Sequence, residues 1–124
     1  MAARIRVKRV YDPPTPRDGR RVLVDRLWPR GISRTSARID AWMKEIAPSN
    51  DLRTWFHHEP DKPGKWTEFA RRYRAELTEK GVLLEDLRAV SRKGAVTLLF
   101  ASRNEEHNNA TVLRDLLEKK GKGT

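Results

Sequence analysis

Two clusters of polar residues in this chain have the types and placement to do chemistry. One is Asp25-Arg26-Leu27-Trp28-Pro29-Arg30, the other Arg103-Asn104-Glu105-Glu106-His107-Asn108-Asn109. His107 is the residue suited to catalysis by proton transfer. In the first turn of a helix the positive helix end disfavours the imidazolium, leaving a neutral ring that can accept or donate a proton. Arg26, Arg30 and Arg103 offer planar forks that match a phosphate or carboxylate bidentately. Beside a helix N-terminus they would suit an anion, and would stabilise negative charge developing in a reaction. Trp28 either stacks on a planar ligand or wedges its loop. Asn108 and Asn109 are poor helix formers in succession, which points to hydrogen-bonding side chains, one toward the site and one toward solvent. Asp25 lies on the opposite strand face from Arg26 and, once buried, needs a partner. Arg103 or Arg30 is the expected type.

These clusters must be carried by strands. Residues 4–10 alternate as a first strand, the proline-rich stretch 11–19 is a loop, and residues 21–27 form a second strand broken by Pro29 and Gly31. Residues 38–46 fit either a helix or a strand, with a slight preference for the strand. Ser49 caps a short helix through Trp55. Trp66, Phe69, Ala70, Tyr73 and Leu77 make the clearest helical stripe, and Leu83, Leu84, Leu87 and Val90 suggest a further helix closed by Gly94. Residues 95–101 carry no charge, as expected of a strand covered on both faces. A last helix is expected over 105–119, with Ser102 or Asn104 as its N-cap. The alternation predicts a single small α/β domain over residues 1–118. Its sheet is mostly parallel, of about four strands covered by helices, and residues 119–124 form a flexible tail. Parallel strands with right-handed crossovers would bring the two clusters together at one edge of the sheet.

The bulk composition narrows the partners. The 124 residues include 27 Lys and Arg against 17 Asp and Glu, a net charge of +10. Eleven of those cations fall within residues 1–38. Such a surface attracts nucleic acid without sequence preference. The absence of cysteine removes disulfides, thiolate nucleophiles and cysteine metal sites. No signal peptide or membrane span is evident, so a cytoplasmic protein without membrane association is expected. His57 and His58 are a poor metal pair, since adjacent side chains diverge, and no metal site is assigned. No GxGxxG, Walker, GxSxG or HExxH pattern is present, and nothing names a cofactor or an oligomeric state.

The segments Val24-Asp-Arg-Leu-Trp-Pro-Arg-Gly31, Trp42 with Ile46-Ala-Pro-Ser49, Leu52-Arg-x-Trp-Phe56 and Glu105-Glu-His-Asn-Asn-Ala110 resemble the domain-of-unknown-function 488 (YeaO-like) family over nearly the whole chain. The resemblance implies a small bacterial or archaeal cytosolic α/β domain and no established activity. A wider branch of that family carries Cys-His-Arg after its last strand. Here Glu106-His107-Asn108 stands there, so no cysteine-dependent chemistry is implied. The residues together favour a site for an anionic small molecule, a nucleotide or phosphometabolite, with or without His107-assisted turnover. The alternatives are a nucleic-acid-associated basic protein, or a regulatory or interaction module whose polar cluster holds two loops together.

Overall fold

The computed structural model describes residues 5–120. Four strands, β1 (Ile5–Arg9), β2 (Arg20–Leu23), β3 (Ala41–Trp42) and β4 (Val96–Phe100), form one sheet in the order β1-β4-β2-β3. Every pairing is parallel. β4 lies between β1, with Ile5 opposite Val96, and β2, with Arg20 opposite Val96. All five of its residues are buried, which explains a strand with no polar alternation. The single α/β domain with a four-stranded parallel sheet agrees with the expectation from sequence.

Four helices follow the chain: α1 (Asn50–His58), α2 (Lys65–Leu77), α3 (Gly81–Lys93) and α4 (Asn109–Lys120). Ser49 caps α1 as expected, its Oγ accepting from the Leu52 N–H at 3.1 Å. The aromatic stripe of α2 buries Phe69 and Tyr73. These helices cover one face of the sheet. Leu52, Phe69, Tyr73, Leu84, Leu87 and Leu113 belong to the same core cluster as Val22, Val24, Leu98 and Phe100. The opposite face is closed differently: Leu23 and Leu99 pack against Ala37, Ile39, Trp28 and Trp42, with no helix in that cluster among the described residues. Residues 28–39 thus act as a lid of irregular chain in place of a second helical layer.

Several boundaries differ from the sequence reading. The ambiguous segment 38–46 is a two-residue strand followed by a 3-10 turn, Lys44–Ile46. β2 ends at Leu23, although the Val24 N–H still bonds the Leu99 carbonyl at 3.1 Å. Gly81, a residue type expected to end a helix, instead opens α3, and α2 stops before it at Leu77. α4 begins at Asn109, four residues later than expected, because residues 102–108 hold their own turns. Asn104 Oδ1 accepts from the N–H groups of Glu106 and His107 at 3.0 and 2.9 Å. Asn108 is the helix cap, its Oδ1 accepting from the Thr111 N–H at 3.0 Å. Of the expected tail, Lys119 and Lys120 are helical, and residues 121–124 lie outside the described residues.

A buried charge cluster ties the N-terminal ends of the strands. Asp18, in a 3-10 turn (Pro16–Asp18), accepts from Lys8, Thr15 and Arg21, and its own carbonyl accepts from Thr97 Oγ1 at 2.8 Å. Gly19 follows with φ +62°, pressed against Ala95, and delivers the chain into β2. Only glycine fits there: a Cβ would stand 2.2 Å from the Ala95 carbonyl oxygen.

Candidate functional site

Because every strand runs the same way, the chain leaves all four of them on one side of the sheet. Loops after β2 and β4 meet there beside α1 and α2, and a cleft of about 340 Å³ opens between them. The loop after β2 contributes Asp25, Arg26, Trp28 and Arg30, and the loop leading into α4 contributes His107, Asn108 and Asn109. Parts of both polar clusters singled out from the sequence therefore line one cleft, but Asn104, Glu105 and Glu106 do not, and neither does the predicted ligand residue Arg103. That side chain is exposed and is not part of the lining; the early turns of residues 102–108 lead it out to solvent.

Asp25 sits where the two loops join. Its carboxylate accepts from the Ala101 N–H at 2.9 Å and from Asn109 Nδ2 at 3.1 Å. The backbone carbonyl of Asp25 accepts from Trp42 Nε1 at 2.7 Å. The expected ion pair with Arg103 or Arg30 is not formed; amide donors satisfy the carboxylate instead. Burial pushes its pKa up, and the hydrogen bonds from Asn109 and Ala101 offset this only in part. An acidic group thus faces the cleft with no cationic partner among the described residues.

Both asparagines are employed inside the protein, which corrects the expectation that one would face solvent. Asn108 is buried and caps α4. Asn109 bridges the Val24 carbonyl, at 2.9 Å, and Asp25. Ser102 and Asn104, expected as caps of α4, instead close turns within the preceding loop.

The arginines divide by environment. Arg26 turns away to latch the segment before α1, donating to the carbonyls of Pro48 and Ala47 at 3.1 and 3.3 Å. Arg30 lines the cleft with an exposed side chain, while its carbonyl accepts from Tyr11 Oη at 2.9 Å. Arg53, from α1, is the residue that sequence reasoning missed. It lines the cleft, and its Nε is buried without an acceptor among the described residues. Nothing local distinguishes it from any other helical arginine, although the segment Leu52-Arg-x-Trp-Phe56 that carries the family resemblance contains it.

The remaining walls are aromatic. The His107 ring lies flat on Trp66, with centroids 4.6 Å apart and planes within 9°. Its ring nitrogens make no hydrogen bond among the described residues; only its backbone N–H does, to Asn104. His57 shares the same cleft, set edge-on to Phe56. Burial and the Arg53 charge hold its imidazole below the ordinary value. Phe56 and Phe69 close the apolar side. Trp28 acts partly as a wedge, its Nε1 donating to the Ile32 carbonyl at 2.9 Å and its ring meeting Trp42 edge-on. Among the described residues no three His, Asp or Glu converge as a metal site, and no helix is long and apolar enough to cross a membrane.

Comparison with known proteins gives a consistent picture. An uncharacterised protein of Mycobacterium tuberculosis is 45% identical over 114 residues, covering 92% of this chain and 93% of its own length. The Mycobacterium bovis counterpart matches equally. The uncharacterised protein YeaO of Escherichia coli is 44% identical over 113 residues, covering 91% of this chain and 96% of its own. No solved structure matches with significance. Residues 4–123 match the family model described as the inactive DUF488-N3 subclade. The chain belongs to that subclade of the YeaO-like DUF488 family.

Proposed function

We propose that the cleft is a binding site for an anionic small molecule, and that the protein binds this ligand without turning it over. The observation that carries the reading is a pair of arginines, Arg30 and Arg53, that line one cleft and form no ion pair among the described residues. An anion in the cleft would supply the counter-charge that the protein does not. The location supports the reading too, since open parallel sheets bind ligands beyond the C-terminal ends of their strands.

Binding is favoured over catalysis on two grounds. A general base is held in one tautomer by a partner on its second nitrogen, whereas the His107 ring is held only by stacking on Trp66. The subclade to which the chain belongs is described as inactive, and Glu106-His107-Asn108 stands where a wider branch carries Cys-His-Arg. Nucleic-acid binding has less support. Part of the N-terminal cationic excess is used internally, by Lys8 and Arg21 on Asp18, Arg9 on the Ser102 carbonyl and Arg26 on Pro48.

A thermal-shift screen of phosphate, pyrophosphate, nucleotides and sugar phosphates tests the proposal. Stabilisation of the wild type that is lost in the Arg30→Ala/Arg53→Ala double variant is the expected result. No stabilisation by any anion, or stabilisation that survives the double substitution, rejects it.

A further inference from the structure

The cleft presents two opposed chemistries, and a plain anion satisfies only one of them. Arg30 and Arg53 carry positive charge on its walls, yet Asp25 lines the same space with no cationic partner among the described residues. Each Asp25 oxygen accepts a single N–H from the protein. A carboxylate offers about four lone-pair sites, so both oxygens retain acceptor capacity. An inorganic phosphate placed here would meet the arginines and be repelled by Asp25. A ligand that matches both carries an anionic group and, on another part of the molecule, N–H donors.

The intervening surface selects further. Phe56, Phe69 and Trp28 give the cleft flat apolar walls, which suit a planar heterocycle more than a polyol. The volume of about 340 Å³ lies at the small end of the range for small-molecule sites, roughly 300–1,000 Å³. That is room for one nucleotide, not a dinucleotide or an oligomer.

Building on the anion-site reading above, we infer that the ligand is a single nucleoside monophosphate. Its base donates N–H groups to Asp25, and its phosphate lies on Arg30 and Arg53. Asp25 is then the residue that distinguishes a nucleotide from other phosphates. Its existing bonds to Ala101 and Asn109 fix the carboxylate before the ligand arrives, so little ordering remains to be done on binding.

Isothermal titration calorimetry on the full chain, at fixed ionic strength, compares inorganic phosphate, ribose 5-phosphate and the monophosphates of adenosine, guanosine, cytidine and uridine. At least one nucleotide is expected to bind about tenfold or more tighter than ribose 5-phosphate, the order expected for added hydrogen bonds to a charged group. Asp25→Asn should remove most of that advantage without weakening the binding of inorganic phosphate, which loses a repulsion. Should Asp25→Asn fail to fold, the bound nucleotide methylated until its donor nitrogen carries no N–H replaces it, with the same loss expected on the wild-type protein. Equal affinity for ribose 5-phosphate and every nucleotide overturns the inference but leaves the anion site standing. So does undiminished nucleotide binding by folded Asp25→Asn, or by wild type toward the methylated ligand. If neither phosphate nor any nucleotide binds, the anion site falls and the inference with it.

Discussion

Asp18 gives the sharpest test of how the fold is held. The residue is 3% exposed, and Lys8 and Arg21 both reach its carboxylate, the first at 3.1 Å. Burial alone would push its pKa up. Hydrogen bonds from the Thr15 N–H, Lys8, the Thr15 hydroxyl and Arg21 outweigh that and bring it down from 3.8 to about 2. With the folded value below the unfolded one, the unfolded chain takes up the proton first as pH falls. The stabilisation is complete above about pH 5 and is lost as pH drops through 3.8 toward 2. The gap corresponds to roughly 2 kcal/mol. Asp18→Asn should cost more than this at pH 7, because it also leaves the guanidinium of buried Arg21 without its counter-charge. Breaking a buried pair in this way costs about 3–5 kcal/mol, or roughly 12–20 °C in Tm for a domain of this size. Guanidinium denaturation of both proteins at pH 7, 5, 4 and 3 measures the effect. The gap between them should narrow as pH falls below 4, since wild type alone loses the Asp18 contribution. A loss under about 1 kcal/mol at pH 7, or parallel pH profiles, would refute the reasoning. Ligand binding at pH 7 should survive the substitution, because Asp18 lies at the far end of the strands from the cleft.

Three other substitutions follow from local geometry. Gly19→Ala combines a φ of +62° with a Cβ 2.2 Å from the Ala95 carbonyl oxygen; a loss of more than about 2 kcal/mol is expected by chemical denaturation. Asn109→Ala removes the donors to Val24 and Asp25 and should cost about 1–3 kcal/mol, read as a lower Tm together with weaker ligand-induced stabilisation. Ser49→Ala removes the α1 cap and a 2.6 Å bond to Glu76; about 1–2 kcal/mol of stability should disappear, with ligand affinity unchanged if α1 keeps Arg53 in place.

The parts of this structure governed by local pattern were legible in the sequence. β4 is an uncharged run and α2 a regular aromatic stripe, and both formed as written. The polarity of a parallel sheet then sufficed to bring the Asp25 and His107 segments together. What was not legible depends on contacts between distant segments. Asp25 was expected to need a cation, but the Ala101 N–H and Asn109 amide, 76 and 84 residues away, meet it instead. α4 starts late because Asn104 and Asn108 hold competing turns, a contest that helix propensity does not decide. Arg53 enters the site only because α1 packs beside the cleft, whereas Arg103, inside the motif, is turned out to solvent.

The flat contact between His107 and Trp66 has an optical consequence. Indole emission depends on what lies against the ring face, and on Trp66 that is the His107 imidazole at 4.6 Å. The other three indoles are set apart from this ring. Trp28 and Trp42 meet each other on the opposite sheet face, and Trp55 lies between Lys65 and Arg72. A ligand in the cleft would therefore change the emission of two tryptophans of the four, Trp66 through His107 and Trp28 directly. The cleft carries its own dye, and its occupancy can be followed by titration without any label.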